Sequence, residues 1–353
     1  MIASLLLAAA VASAATPVLT PAPLVSRGKR VVSRPAGGEA LVDGLYRTAK
    51  TWAGGKPTKA SPSWAAIDLG GGYTRLLVAW TSSHNHEWTE RFYGAPEDYR
   101  IETSADSTDG ANGTWRTAVT VTGNPVRSRA HAVEFAGQRW LKLVVTGMPA
   151  KSHEWGLQVD EIDVHDLSKG GDDVWIFLGD SITAGVYDRA PAHQPSFPEL
   201  VARRHPGYFP AVIQAGKGSL HHTGTLALLE QALALTPEAR VVAIGVGSND
   251  WDPVAYKKDI TAVIARVRAA GKIPILARMP FRADAKEDFA GRLNVSVDAI
   301  VREQRLLPGP DFYPWFKAHP ERLMDGLHPD DAGSLEMIRR WADAVEPLYP
   351  KAR

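Results

Sequence analysis

The sequence predicts an α/β fold, a doubly wound parallel sheet, preceded by an all-β sandwich domain. Three observations predict it. From Gly38 to about Ser168, short runs of alternating or β-branched residues follow one another with no helical stretch between them. From Val174 onward, apolar strands alternate with helical stretches, the rhythm of βαβ units and a parallel sheet. Between the two lies "SKGGDD" (Ser168–Asp173), a hinge-like boundary, and 353 residues suit two domains better than one.

Taken in order, the chain opens on "MIASLLLAAAVASAATP", an apolar stretch from Ile2 to Val11 followed by Ala12-Ser13-Ala14, a small-residue site of A-x-A type. The run is too short to span a bilayer, and residues 1–14 read as a cleaved signal peptide, placing the protein in the periplasm or outside the cell. Residues 15–37, rich in Pro, Ala, Gly and Arg, read as a linker. In 38–168 the runs "WAAIDLG", "TRLLVAW", "YRIETSAD", "WRTAVTVTG", "RWLKLVVTG" and "LQVDEIDVH" read as strands separated by turn residues. In 174–353, "VWIFLG", "FPAVIQAG", "RVVAIGVGSND" and "KIPILARMP" read as buried strands, with helices over "TGTLALLEQALAL" and "VAYKKDITAVIARVRAAG". Ile260, Val263, Ile264 and Val267 form one face of the second helix, and Gly271 stands where a C-terminal cap belongs. A last helix follows Asp330-Asp331, with Leu335, Ile338, Trp341 and Val345 at helical spacing.

Composition narrows the function classes. Hydrophobic residues at 44% and charged residues at 22% describe a globular protein, and a net charge of +1 gives no general reason to expect nucleic acid or an anionic membrane as partner. The chain has no cysteine, which excludes a thiol nucleophile, a lipid-anchored N-terminal cysteine and cysteine-based zinc sites. No phosphate-binding loop or dinucleotide fingerprint is present, and no cofactor is expected. "HNHE" (His84–Glu87) has metal-ligating residue types but reads as a solvated loop.

Ligands of open parallel sheets bind beyond the carboxyl ends of the strands. Ser181 follows the first strand of the second half, Gly247-Ser248-Asn249-Asp250 follows the third, and Asp325-Gly326-Leu327-His328-Pro329 precedes the final helix. A serine hydroxyl needs a neutral imidazole to take its proton, and the imidazole needs a carboxylate to hold its tautomer; Asp325 and His328, three apart on a tight turn, can converge unaided. An oxyanion hole needs donors, which the Asn249 amide and backbone N–H groups near Ser181 and in "QAGKGS" (Gln214–Ser219) can supply. Each piece alone is an ordinary turn or cap; in this order, each at a strand end or pre-helix loop, they describe a nucleophile, a base and an orienting acid.

These motifs carry a resemblance. "GDSIT", "GSND" and "DGLHPDDAG" are similar to blocks I, III and V of the SGNH (GDSL-like) hydrolases, from about Val174 to the C-terminus. The resemblance implies a flavodoxin-like sheet, Ser181 as nucleophile, Asp325 and His328 completing the triad, and an oxyanion hole of the Ser181 backbone, Asn249 and a block II glycine. Block II departs from the family pattern: Gln214, Gly216 and Ser219 stand where N-x-G-x-x-G is usual, leaving Gly218 as the first candidate donor and the Ser219 N–H as the second. Upstream, "LVDGLYRTAKTW" and the strand runs resemble a discoidin (F5/8 type C-like) galactose-binding fold, which specifies a fold and not a ligand.

Substrate-binding candidates are Asp180, His221, Trp52 and Trp88, the two tryptophans because polar loop residues flank them; Trp64, Trp80 and Trp140, inside strands, read as core. The implied activity is a secreted serine esterase that removes O-acetyl groups from a polysaccharide or oligosaccharide, without stable membrane association. The alternatives are a lipase or arylesterase, which wants an apolar acyl groove, and a non-catalytic glycan-binding protein.

Overall fold

The computed structural model describes residues 17–45, 51–82, 88–89, 94–150, 156–187, 190–285 and 287–351. The expected export segment lies outside these residues, as do His84–Glu87 and Trp155. Among the described residues, no helix is long and apolar enough to cross a membrane.

The N-terminal region is built of β1 (Val31–Arg34), β2 (Trp52–Gly55), β3 (Ser63–Asp68), β4 (Arg75–Thr81), β5 (Asp98–Ser104), β6 (Arg116–Val121), β7 (Ser128–Glu134), β8 (Trp140–Gly147), β9 (Leu157–Val159) and β10 (Glu161–Asp166). The strands pair antiparallel in two main sheets, ordered β1-β3-β8-β5-β6 and β10-β4-β7, with β2 paired to β9. Alternation puts Ala65, Ile67, Tyr99, Ile101, Leu141 and Leu143 of the first sheet into one core with Leu76, Val78, Trp80, Ile162 and Val164 of the second.

The C-terminal region runs β11 (Val174–Gly179), α1 (Ser181–Val186), α2 (Phe197–Arg204), β12 (Ala211–Gly216), α3 (His222–Leu235), β13 (Val241–Gly245), α4 (Pro253–Ala269), β14 (Ile273–Arg278), α5 (Phe289–Glu303), β15 (Pro308–Asp311), α6 (Tyr313–Ala318) and α7 (Asp331–Ala344). Its five strands are parallel in the order β12-β11-β13-β14-β15, which in order of appearance is the 2-1-3-4-5 sequence of flavodoxin-like sheets. Every residue of β11 is buried, because helices cover both faces. Ile176 and Leu178 point to α3, α4 and α5, while Trp175 and Phe177 point to α2 and α7. The chain order reverses on either side of β11, so the crevice at the carboxyl ends of β11 and β13 is where a ligand is expected.

Three expectations are corrected. Residues 17–37 are not a linker: β1 pairs with β3, the Leu19 N–H donates to the Leu348 carbonyl (2.8 Å), and Leu19 and Ala22 are buried. Pro-rich composition reported the extended backbone but not the partners it meets. Trp52 and Trp88 are buried, not sugar platforms. Trp52 sits in the sandwich core, its indole N–H donating to the Pro35 carbonyl (2.9 Å). Trp88 fills the seam between the two regions, its indole N–H on the Ser128 carbonyl (2.9 Å) and its backbone N–H on the Gly216 carbonyl (2.8 Å). Both tryptophans that do reach the outer face of the first sheet, Trp64 and Trp115, are only partly exposed and bracket the ammonium of Lys142, 4.7 and 3.3 Å from the ring centroids.

Candidate active site

Ser181 comes to the site because β11 ends abruptly. Asp180 caps α1, its Oδ1 accepting from the Ile182 N–H (3.1 Å), and Ser181 is the first residue of that helix. Two glycines permit the close packing. A Cβ on Gly179 would overlap the Thr183 side chain and the Gly245 carbonyl; one on Gly216 would overlap the backbone of Ala184, so α1 can lie down on the end of β12.

The structure brings Ser181, His328 and Asp325 together. The Ser181 hydroxyl lies 2.9 Å from His328 Nε2, and His328 Nδ1 lies 2.7 Å from Asp325 Oδ2. Asp325 Oδ1 accepts the backbone N–H groups of His328 (2.7 Å) and Leu327 (3.0 Å), which fixes the carboxylate on its own turn. Those bonds, the His328 N–H first, hold the Asp325 carboxyl down at about 2. With Nδ1–H donating to Asp325, Nε2 is left as the acceptor that a serine proton needs. The pair stands at a rim: the Asp325 side chain is 57% exposed and that of His328 34%.

Asn249 is placed by β13. Its Nδ2 donates to the Leu220 carbonyl (3.1 Å), tying it to the turn after β12 and leaving a second amide proton for a ligand. That turn runs from Lys217 to Leu220, closed by the Leu220 N–H on the Lys217 carbonyl (3.2 Å), with Gly218 and Ser219 at its centre. Ser219 adopts φ of 54°, a left-handed conformation uncommon outside glycine, and Gly218 does not. The position at which the family pattern has glycine is therefore the one whose backbone takes the glycine-like conformation.

Asp180 is corrected from a substrate contact to a buried strut. Its Oδ2 accepts the Ser248 hydroxyl (2.6 Å) and the Ser248 N–H (3.2 Å), binding the loop after β11 to the loop after β13, and burial pushes its carboxyl pKa up. His221 is half exposed beside Leu220, its Nδ1 3.2 Å from Asp250 Oδ1.

Sequence reasoning missed the clip on the far side. Arg282, just past β14, donates to the Ser248 carbonyl and holds Asp284 with two bonds (2.9 and 2.6 Å). The next residue, Ala283, donates its N–H to the Gly326 carbonyl (2.7 Å), so one short loop ties the Ser248–Asn249 loop to the Asp325–His328 turn. The carboxyl-end rule applied to "KIPILARMP" would have pointed to it. Among the described residues, no group of three or more His, Asp, Glu or Cys is placed to hold a metal ion.

A flavodoxin-like 2-1-3-4-5 sheet with a serine, a histidine and an aspartate converging at its carboxyl edge is an arrangement suited to serine-nucleophile chemistry. Residues 177–334, somewhat under half of the chain, match the model of the GDSL-like lipase/acylhydrolase family, and the parallel sheet they belong to has the α/β fold of SGNH hydrolases. Similar solved structures include a lipase/acylhydrolase from Enterococcus faecalis (22% identity over 51% of this chain and 98% of that one, TM-score 0.43). An acetylxylan esterase, Axe2, from Geobacillus stearothermophilus is 17% identical over 51% of this chain and 97% of that one (TM-score 0.43). The Bacillus subtilis protein YxiM is 15% identical over 80% of both chains (TM-score 0.44). No curated protein matches the chain.

Proposed function

We propose that the protein is an exported serine esterase that removes O-acetyl groups from a polysaccharide. The observation that carries this reading is the unbroken relay Ser181–His328–Asp325 beside Asn249. Ser181 Oγ attacks the acetyl carbonyl as its proton passes to His328 Nε2, and the carbonyl oxygen becomes an oxyanion facing the Asn249 amide and the N–H groups of Ser181 and Ser219. Collapse breaks the ester bond, the sugar oxygen leaves with the proton from His328, and acetyl-Ser181 remains. Water then attacks while giving a proton to His328, and acetate departs as Ser181 regains that proton.

The half-exposed triad supports a polymer as substrate, since a chain must continue past the reacting group on both sides. The resemblance of the N-terminal sandwich to galactose-binding folds points the same way, by analogy of fold. No membrane association is needed for such a substrate. One observation favours a lipolytic reading instead: Met324, adjoining Asp325, is 72% exposed and could line an acyl path.

Acetate release from a panel of acetylated polysaccharides, beside 4-nitrophenyl octanoate, decides between them. Wild type is expected to release acetate and to leave octanoate untouched, and Ser181→Ala to lose at least about a thousandfold in kcat. Faster octanoate turnover moves the protein to the lipolytic class, and equal silence of both proteins removes the esterase reading.

A further inference from the structure

We propose that Trp251 is the platform on which the saccharide ring of the substrate stacks, held in place by Arg282. This rests on the polysaccharide deacetylase reading and adds to it the surface that recognises the alcohol part of the ester.

Trp251 is out of place for a tryptophan in this fold. Trp52, Trp80, Trp88, Trp140, Trp175 and Trp341 are fully buried, whereas Trp251 is 53% exposed. A large aromatic left in water is informative in a way that a buried one is not. Its position is two residues past Asn249, on the loop that carries the amide expected to face the oxyanion.

The loop is stiff on both sides of the ring. Before it, the buried Asp250 carboxylate accepts the His222 N–H (3.1 Å), and the Asp250 N–H donates to the Gly247 carbonyl (3.1 Å). After it, Asp252 caps α4 through the N–H groups of Val254 (2.9 Å) and Ala255 (3.1 Å). The ring itself is wedged. The Arg282 guanidinium carbon lies 5.0 Å from its centroid, and Phe289 meets it edge to face at 4.6 Å and 82°. Arg282 cannot swing away, because it is bonded to Asp284 and to the Ser248 carbonyl. A rigid indole loses little freedom when a ligand lands on it, so stacking there contributes to affinity almost undiminished.

The surroundings select the kind of ring. The Arg282 guanidinium, paired with Asp284, lies against the indole, and Asp252 follows it directly in the chain. A pyranose offers a flat C–H face to the indole and hydroxyls to such polar neighbours. A long acyl chain would need apolar walls on several sides.

The test compares wild type, Trp251→Ala and Trp251→Phe on acetylated xylo-, manno- and cello-oligosaccharides, on ethyl acetate, whose alcohol has no ring, and on 4-nitrophenyl octanoate. The quantity read is the ratio of kcat/KM on the best oligosaccharide to that on ethyl acetate. The ratio is expected to fall roughly five- to tenfold in Trp251→Ala, mostly through KM, and to be largely restored in Trp251→Phe. An unchanged ratio overturns the proposal: equal losses on both substrates would make Trp251 a structural residue. A loss confined to octanoate overturns it too, in favour of an acyl contact. Wild type inert on every oligosaccharide but active on ethyl acetate defeats the deacetylase reading itself, and Trp251 falls with it.

Discussion

Two aspartates show how position alone divides one residue type. Asp325 is more than half exposed, accepts two backbone N–H groups and the His328 ring, and is held at about 2, so it is an anion at neutral pH. Asp173 is wholly buried at the start of β11, and burial pushes its carboxyl up to about 7. Its Oδ1 accepts from the Trp175 indole (2.7 Å) and the Tyr349 hydroxyl (3.1 Å), while Oδ2 has no partner among the described residues. An unfolded aspartate releases its proton near pH 4, so between about pH 4 and 7 the native state binds one proton more than the unfolded state. Stability from this site therefore falls as pH rises through that window and is lowest above it. Asp173→Asn, which keeps an acceptor without the charge, is expected to raise the melting temperature relative to wild type at pH 8 and to change it far less at pH 4.5. An equal shift at both values would refute the assignment. Ser181 and His328 were legible at this scale because their chemistry is specific. Trp52 and Trp88 were misread because flanking polar residues say nothing about what lies across the fold.

At the scale of elements, the site depends on how closely α1 approaches the sheet. Strand end, cap and helix follow from "VWIFLGDSIT": an apolar run, a glycine, and an aspartate that accepts the second helical N–H. The depth of the approach is set by Gly216, on a different strand. A methyl group there would overlap Ala184, and the helix carrying Ser181 would have to move outward. Gly216→Ala is expected to lower kcat at least tenfold while costing only about 1–3 kcal/mol of stability, measurable by denaturant titration beside the esterase assay. Retention of full activity would mean that Ser181 tolerates the shift. Elements with strong periodicity, such as α4 and α7, were legible. β7 and β15 were not. β7 (SRAHAVE) carries polar residues at positions that pair within a sheet, and β15 (PGPD) reads as a turn, yet it forms an edge strand where proline is tolerated.

Across the whole molecule, the two regions are not independent bodies. Leu77, Ala79 and Ala130 of the second N-terminal sheet, with Ala22, Trp88, Val126 and Leu167, join Ala211, Ile213 and Ala215 of β12 in one continuous core. The seam touches the site, because the Gly216 carbonyl that accepts the Trp88 N–H belongs to the glycine under α1. Thermal unfolding is expected to show one transition with activity lost inside it. Trp88→Ala should lower the stability of the entire chain by about 3–5 kcal/mol, not that of one half. Two resolved calorimetric transitions, with Trp88→Ala moving only the first, would show that the regions unfold separately.

Local signals along the chain made the two-part layout and the parallel sheet legible, and singled out the serine, histidine and aspartate that the structure brings together. Apolar periodicity and three short motifs are local signals, and each records a constraint that acts within a few residues. Long-range packing is what makes residues 17–37 part of the fold, Asp180 a buried strut and Ser219 a left-handed turn residue, and what leaves Trp251, rather than Trp52 or Trp88, facing solvent two residues past Asn249. Burial, and the pairing of groups on different strands, are properties of what packs across a side chain, and that partner lies tens to hundreds of residues away.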